Sequence, residues 1–155
     1  MHEQITSPIE AVRKSVLVPA PPDRAFEVFT ARFGDWWPLA THSVGADKAA
    51  RVTFGAGIGG TILETLADGT TSAWGTITRW EPPQRVAFSW HAGTPQAQAG
   101  LVEVVFTPRG AGRTLVELTH TGWENRPDGA SARTGYETGW DPVIEQYAQA
   151  ASALT

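Results

Sequence analysis

Between residues 51 and 121 the chain breaks into short alternating runs joined by connectors too short to hold a helix, and this restricts the fold more than any other feature. The runs are 51–54, 61–66, 72–80, 85–91, 101–108 and 114–121, each with the two-residue period of a half-buried strand. A parallel crossover needs about a dozen or more intervening residues. Connectors such as Ala67-Asp68-Gly69, Glu81-Pro82-Pro83-Gln84 and Arg109-Gly110-Ala111-Gly112 therefore specify antiparallel hairpins. An earlier run, 12–19, sets Val12, Lys14, Val16 and Val18 against Arg13, Ser15 and Leu17 and stops at Pro19, which makes about seven strands.

Two segments have helical spacing instead. After Pro21-Pro22-Asp23, the apolar residues Ala25, Phe26, Val28, Phe29 and Phe33 fall on one face of a short helix that Gly34 is expected to close. Near the C-terminus Tyr136, Trp140, Val143, Tyr147, Ala150 or Ala151, and Leu154 form a single apolar stripe. Pro142 either kinks a helix begun near Ala130 or opens a second one capped by Asp141, so a kinked or two-piece helix is expected. The sum is an α+β domain, a curved antiparallel sheet of about seven strands covered on one face by a long C-terminal helix. Such a sheet tends to leave space beneath the helix, and seven tryptophans among 155 residues could line that space or fill it.

A chain of 155 residues matches the usual size of one domain, here 9–155 behind a flexible segment 1–8. Cysteine is absent, which excludes disulfides, thiolate nucleophiles and cysteine-held metals. Lys and Arg number 12 against 16 Asp and Glu, a net charge of −4 that lacks the electrostatic footprint of a nucleic-acid binder. Residues 1–8 do not read as a secretory signal and no run is long and apolar enough for stable membrane insertion, so the cytoplasm is the default location.

The order of elements and several strings resemble the START-related, birch-pollen-allergen-like helix-grip superfamily (SRPBCC). Within it, the chain is similar to the family named for activators of the ninety-kilodalton heat-shock-protein ATPase. The strings are Pro21-Pro22-Asp23-Arg24-Ala25-Phe26-Glu27-Val28-Phe29, Asp35-Trp36-Trp37-Pro38, Gly59-Gly60 and Gly75-Thr76-Ile77. To these are added Glu81-Pro82-Pro83-Gln84-Arg85-Val86-Ala87-Phe88-Ser89-Trp90 and Gly139-Trp140-Asp141-Pro142-Val143-Ile144, so the likeness spans about 12–150. The resemblance implies the helix-grip fold, with one or two short helices after the first strand and a hydrophobic pocket between sheet and terminal helix. Members hold lipids, sterols, polyketides or plant hormones there, and some branches catalyse cyclisation or dehydration. The eukaryotic namesakes stimulate a chaperone with the help of a large second domain that has no counterpart in these residues, so a chaperone interaction is not expected.

Local motifs give little chemistry. Gly55-Ala56-Gly57-Ile58-Gly59-Gly60 fits a dinucleotide fingerprint on paper, but a strand follows it where an anion-binding helix should, so it reads as a hairpin. His2, His42, His91 and His120 lack any local metal-binding spacing. Ser43 and Ser89 lack a nucleophile elbow. Glu64, Glu103 and Glu117 lie in strands, where the wet convex face is the expected position. Weak acid–base candidates remain in His91, His120 and Glu64.

The aromatic residues are the better guide. Alternation puts Trp74, Thr76, Thr78 and Trp80 on one face, and Val86, Phe88 and Trp90 on one face of the next strand. The expected ligand-binding set is Trp36, Trp37, Phe88, Trp90, Tyr136, Trp140 and Val143; residues 123–135, polar and glycine-containing, suit a mobile entrance loop but read first as an ordinary strand-to-helix connection. The expected function is binding of a small apolar or amphipathic molecule, with no cofactor and no metal. The alternatives are an enzyme such as a cyclase, dehydratase or hydrolase in the same pocket, and a protein-interaction module; a homodimer stays open.

Overall fold

A computed structural model describes residues 9–153, and the segment 1–8 expected to be flexible, like Leu154, lies outside them. The alternating runs become β1 (Val12–Val18), β2 (Ala49–Phe54), β3 (Thr61–Leu66), β4 (Thr71–Glu81), β5 (Arg85–Trp90), β6 (Gly100–Pro108) and β7 (Thr114–Thr121). They form one antiparallel sheet in the order β1-β7-β6-β5-β4-β3-β2. Five successive hairpins build six of the strands, with the Gly55–Gly60 stretch closing the first as expected. The remaining strand, β1, returns to β7 with Val12 opposite His120 and Val18 opposite Thr114.

The inner face follows the two-residue period on β5 (Val86, Phe88, Trp90), β6 (Val102, Val104, Phe106) and β7 (Thr114, Val116, Leu118, His120), all buried. On β4 the period fails. Its pairing skips Trp74 between Ala73 and Gly75, and skips Thr78 between Ile77 and Arg79. Each skipped residue is a bulge that inverts the alternation. Trp74 and Ile77 therefore go to the core and Thr78 to solvent, in place of one face shared by Trp74, Thr76, Thr78 and Trp80.

The first helical segment is two pieces, α1 (Pro22–Phe29) and α2 (Phe33–Trp36). Thr30 ends α1, its hydroxyl donating to the Phe26 carbonyl at 2.8 Å. Gly34 does not stop a helix; it lies inside α2, where an added Cβ would be 2.4 Å from the Val52 carbonyl oxygen of β2.

The C-terminal helix α3 (Gly129–Ala153) runs through Pro142 as one element, rather than restarting at an Asp141 cap. A proline inside a helix costs about 3 kcal/mol. Trp140, Val143, Ile144, Tyr147 and Ala151 lie on both sides of it and are all buried, at about 1.5–3 kcal/mol for each large side chain, which outweighs that loss. Asp141 is engaged elsewhere, accepting with Glu137 from Lys14 of β1 at 2.8 and 3.0 Å. This is the α+β helix-grip fold. Among the described residues no helix is long and apolar enough to cross a membrane.

Candidate ligand-binding cleft

Two aromatic regions lie side by side between sheet and helix. In the first, α1 and α2 plug one end of the grip. Phe29 packs against Trp36, Tyr147 and Phe106 with ring centroids 5.3, 5.2 and 6.1 Å away, and Phe88 meets Phe54 at 5.3 Å. The polar atoms here are spent internally, with Trp36 Nε1 donating to the Val28 carbonyl and the Tyr147 hydroxyl to that of Ala25, both at 2.8 Å. Burial drives the Tyr147 phenol pKa upward.

In the second region the same residue types enclose a cleft of about 610 Å³. Trp37, Trp90 and Trp140 stand 5.6–6.0 Å apart, centroid to centroid, around its floor, with Tyr136 and Val143 of α3 beside them. Every one of these indole N–H groups already has an acceptor: Trp37 donates to the His42 carbonyl at 2.8 Å, Trp90 to the Tyr136 hydroxyl at 3.0 Å, and Trp140 to His120 Nδ1 at 3.1 Å. The wall therefore offers π faces and edges rather than donors. Gly135 and Gly139, one turn apart on α3, line the same space, and a Cβ added at either would meet nothing within 4 Å. A glycine inside a helix costs about 1 kcal/mol relative to alanine, so helix stability is lower where the cleft is wide.

The rim is polar. Arg126 and Asp128 form a bidentate pair, Nε to Oδ1 at 2.9 Å and Nη2 to Oδ2 at 3.0 Å. His42 and Ser43 come from the loop after α2, and Thr94 from the β5–β6 connection. The Thr94 hydroxyl oxygen is buried and has no hydrogen-bond partner in the protein.

Of the aromatic set expected from sequence, Trp37, Trp90, Tyr136, Trp140 and Val143 line the cleft. Trp36 and Phe88 are in the packed region, 4% and 0% exposed. The three acid–base candidates lie outside the lining. His120 is a layer behind it, between Trp123 at 4.1 Å and Tyr136 at 5.0 Å, centroid to centroid. Desolvation, helped by the Arg126 charge, pushes its pKa down to about 3, so it is a neutral acceptor that holds Trp140. His91 is half-buried and anchors the chain after β5, its backbone N–H donating to the Trp74 carbonyl at 2.6 Å.

Glu64 is fully buried, not on the wet face. Its carboxylate accepts from the backbone N–H groups of Val44 and Gly45 at 2.9 and 2.8 Å and from Trp74 Nε1 at 3.0 Å. The register bulge in β4 that turns Trp74 inward is what gives this carboxylate its third donor. A Cβ on Gly45 would come 2.2 Å from Leu66 Cδ2 and 2.9 Å from Glu64 Oε2, so a side chain there would have to push both away from the clasp. Residues 123–135 connect β7 to α3 as an ordinary strand-to-helix connection would, but over a shorter stretch: Trp123–Asn125 is a 3₁₀ turn, Trp123 is buried, and α3 already begins at Gly129. Among the described residues no group of three or more His, Asp or Glu could hold a metal ion.

The family described as "Activator of Hsp90 ATPase homolog 1-like protein" matches residues 19–151, and the chain belongs to it. Among solved structures, an anthrahydroquino-γ-pyrone synthase is 35% identical, covering 94% of this chain and 99% of its own, with a TM-score of 0.64. A Mesorhizobium loti protein is 18% identical over 91% of this chain and 96% of its own, with a TM-score of 0.67. A protein of the dynemicin biosynthetic locus is 24% identical over 90% of this chain and 46% of its own, with a TM-score of 0.62. The last two are likenesses of fold. No curated protein is matched by the chain. The family and fold are those of a domain that binds hydrophobic ligands.

Proposed function

We propose that the cleft binds a flat, polycyclic aromatic molecule with polar substituents at one end. The observation that carries this reading is the set of three indoles whose N–H groups are all engaged by the protein, leaving ring faces around about 610 Å³. That volume is within the usual range of about 300–1,000 Å³ for small-molecule sites. Offset stacking on aromatic walls favours planar ligands over flexible chains, which would lose more conformational entropy on binding. The likeness to the synthase supports the same ligand class.

A second reading, ring closure or dehydration carried out on such a molecule, is supported by that same likeness. The lining groups able to move a proton are Tyr136, Asp128 and His42, whose Nδ1 is 2.8 Å from the Thr41 hydroxyl. His91, His120 and Glu64 stand outside the lining and are not assigned that role.

The test is tryptophan quenching by four ligand classes: an anthraquinone, a flavonoid, a sterol and a fatty acid. Saturable quenching by the two planar aromatics and none by the fatty acid is the expected result. Tighter binding of the fatty acid or the sterol would replace the planar reading with a lipid one.

A further inference from the structure

We propose that the ligand of this cleft is an acid, and that its ionised carboxyl displaces Asp128 from the guanidinium of Arg126. The inference rests on the cleft binding a planar aromatic and adds the charge that such a molecule carries. Arg126 and Asp128 both line the cleft but are unequally placed, their side chains 18% and 55% exposed. The cation is therefore largely withdrawn from water while its carboxylate partner stays mostly in it. A pair with one partner so hydrated contributes little and is readily exchanged. A guanidinium partly withdrawn from water, with the Tyr136 hydroxyl as its other neighbouring acceptor, favours a replacement carboxylate over none. A ligand carboxylate arriving through the cleft can offer the same two oxygens as Asp128, in a drier place where a charge-assisted fork is stronger.

The surroundings favour a negative charge there. Among the described residues, Asp128 is the one acidic residue in the lining. Ser131 and Ala132 of the first turn of α3 line the same mouth, so the positive end of a 25-residue helix is beside the site. The hydroxyl of Tyr136, which accepts from Trp90, also lies within electrostatic reach of Arg126 and ties the mouth to the indole floor. The ligand class is thus a polycyclic aromatic carboxylic acid.

Anthraquinone-2-carboxylate and its neutral counterpart 2-(hydroxymethyl)anthraquinone separate charge from shape. The folded wild-type chain should bind the carboxylate about tenfold more tightly, the order expected of one charge-assisted hydrogen-bonded pair. Arg126→Gln should erase that preference while leaving the neutral probe within about twofold of its wild-type affinity. Asp128→Asn, which weakens the competing acceptor, should widen the preference severalfold, and this opposite sign guards against a misfolded Arg126 variant. An unchanged preference in Arg126→Gln, or weaker carboxylate binding in Asp128→Asn, overturns the proposal. Equal affinity of the wild type for both probes overturns it and leaves the cleft reading intact; failure of both probes to bind overturns the two together.

Discussion

The packed end of the interior and the open end are built from the same residue types, and what separates them is what the helices place between the rings. Around Phe29, the short helices α1 and α2 insert Phe26, Phe33 and Trp36, and α3 contributes Tyr147. Around Trp90, α3 sets Gly135 and Gly139 beside its aromatic residues, and the mouth is covered by loops and the first turn of α3 rather than by a packed helix pair. Aromatic supply therefore does not distinguish a core from a pocket. The small residues on the facing element do.

The packed end should be the more sensitive to truncation. Phe29→Ala leaves a cavity among five ring neighbours and should cost about 3–5 kcal/mol in urea denaturation. A loss under about 1 kcal/mol would mean that this end too is loosely filled.

Behind the wall of the cleft, His120 gives the comparison a pH axis. It stays neutral in the folded chain down to about pH 3, whereas an unfolded histidine takes its proton near 6.5. The unfolded state therefore binds more protons throughout that window. Stability is full above pH 6.5 and falls on acidification by up to about 1.4 kcal/mol per pH unit until the folded pKa is reached. His120→Asn, which can still accept from Trp140, should remove this component from a denaturation series at pH 7, 6, 5 and 4; an unchanged slope would assign the acid sensitivity to other groups.

At the open end, Glu64→Ala strips three N–H donors of their acceptor and should cost about 2–3 kcal/mol. The loss should come with faster amide exchange at Val44 and Gly45 and weaker probe binding. Exchange that stays slow would show that the loop is held by other contacts. The smallest effect has the opposite sign. Gly139→Ala should stabilise the chain by about 0.5–1 kcal/mol and weaken binding, while Gly139→Leu should abolish binding in a folded protein. Tighter binding in Gly139→Leu would place the ligand elsewhere.

Much of this was legible in the sequence because periodicity and connector length are local. The six meander strands agree with their expected bounds to within two residues at either end, and the hairpin reading of Gly55–Gly60 needed only the strand that follows it. What escaped was non-local. The bulges in β4 depend on which residues of β3 and β5 sit opposite, so Trp74 could not be placed from its own strand. The burial of Glu64 depends on a loop 19 and 20 residues away. Trp36 and Trp37 are adjacent, yet one is in the packed end and the other on the cleft wall, a difference set by where α2 stops. Gly135 and Gly139 were the readable signal that was missed: two glycines one turn apart beside an apolar helical stripe lower helix stability and leave open space on that face of the helix.

The central claim is that ligand enters among Trp37, Trp90 and Trp140 and not among the packed rings. Indole N–H resonances in a ¹H–¹⁵N spectrum, recorded while anthraquinone-2-carboxylate is added, report on each tryptophan separately. The account predicts saturable shifts concentrated at those three, with Trp36 in the packed end nearly still. Shifts largest at Trp36, or no saturable shift at any of the three, would contradict it.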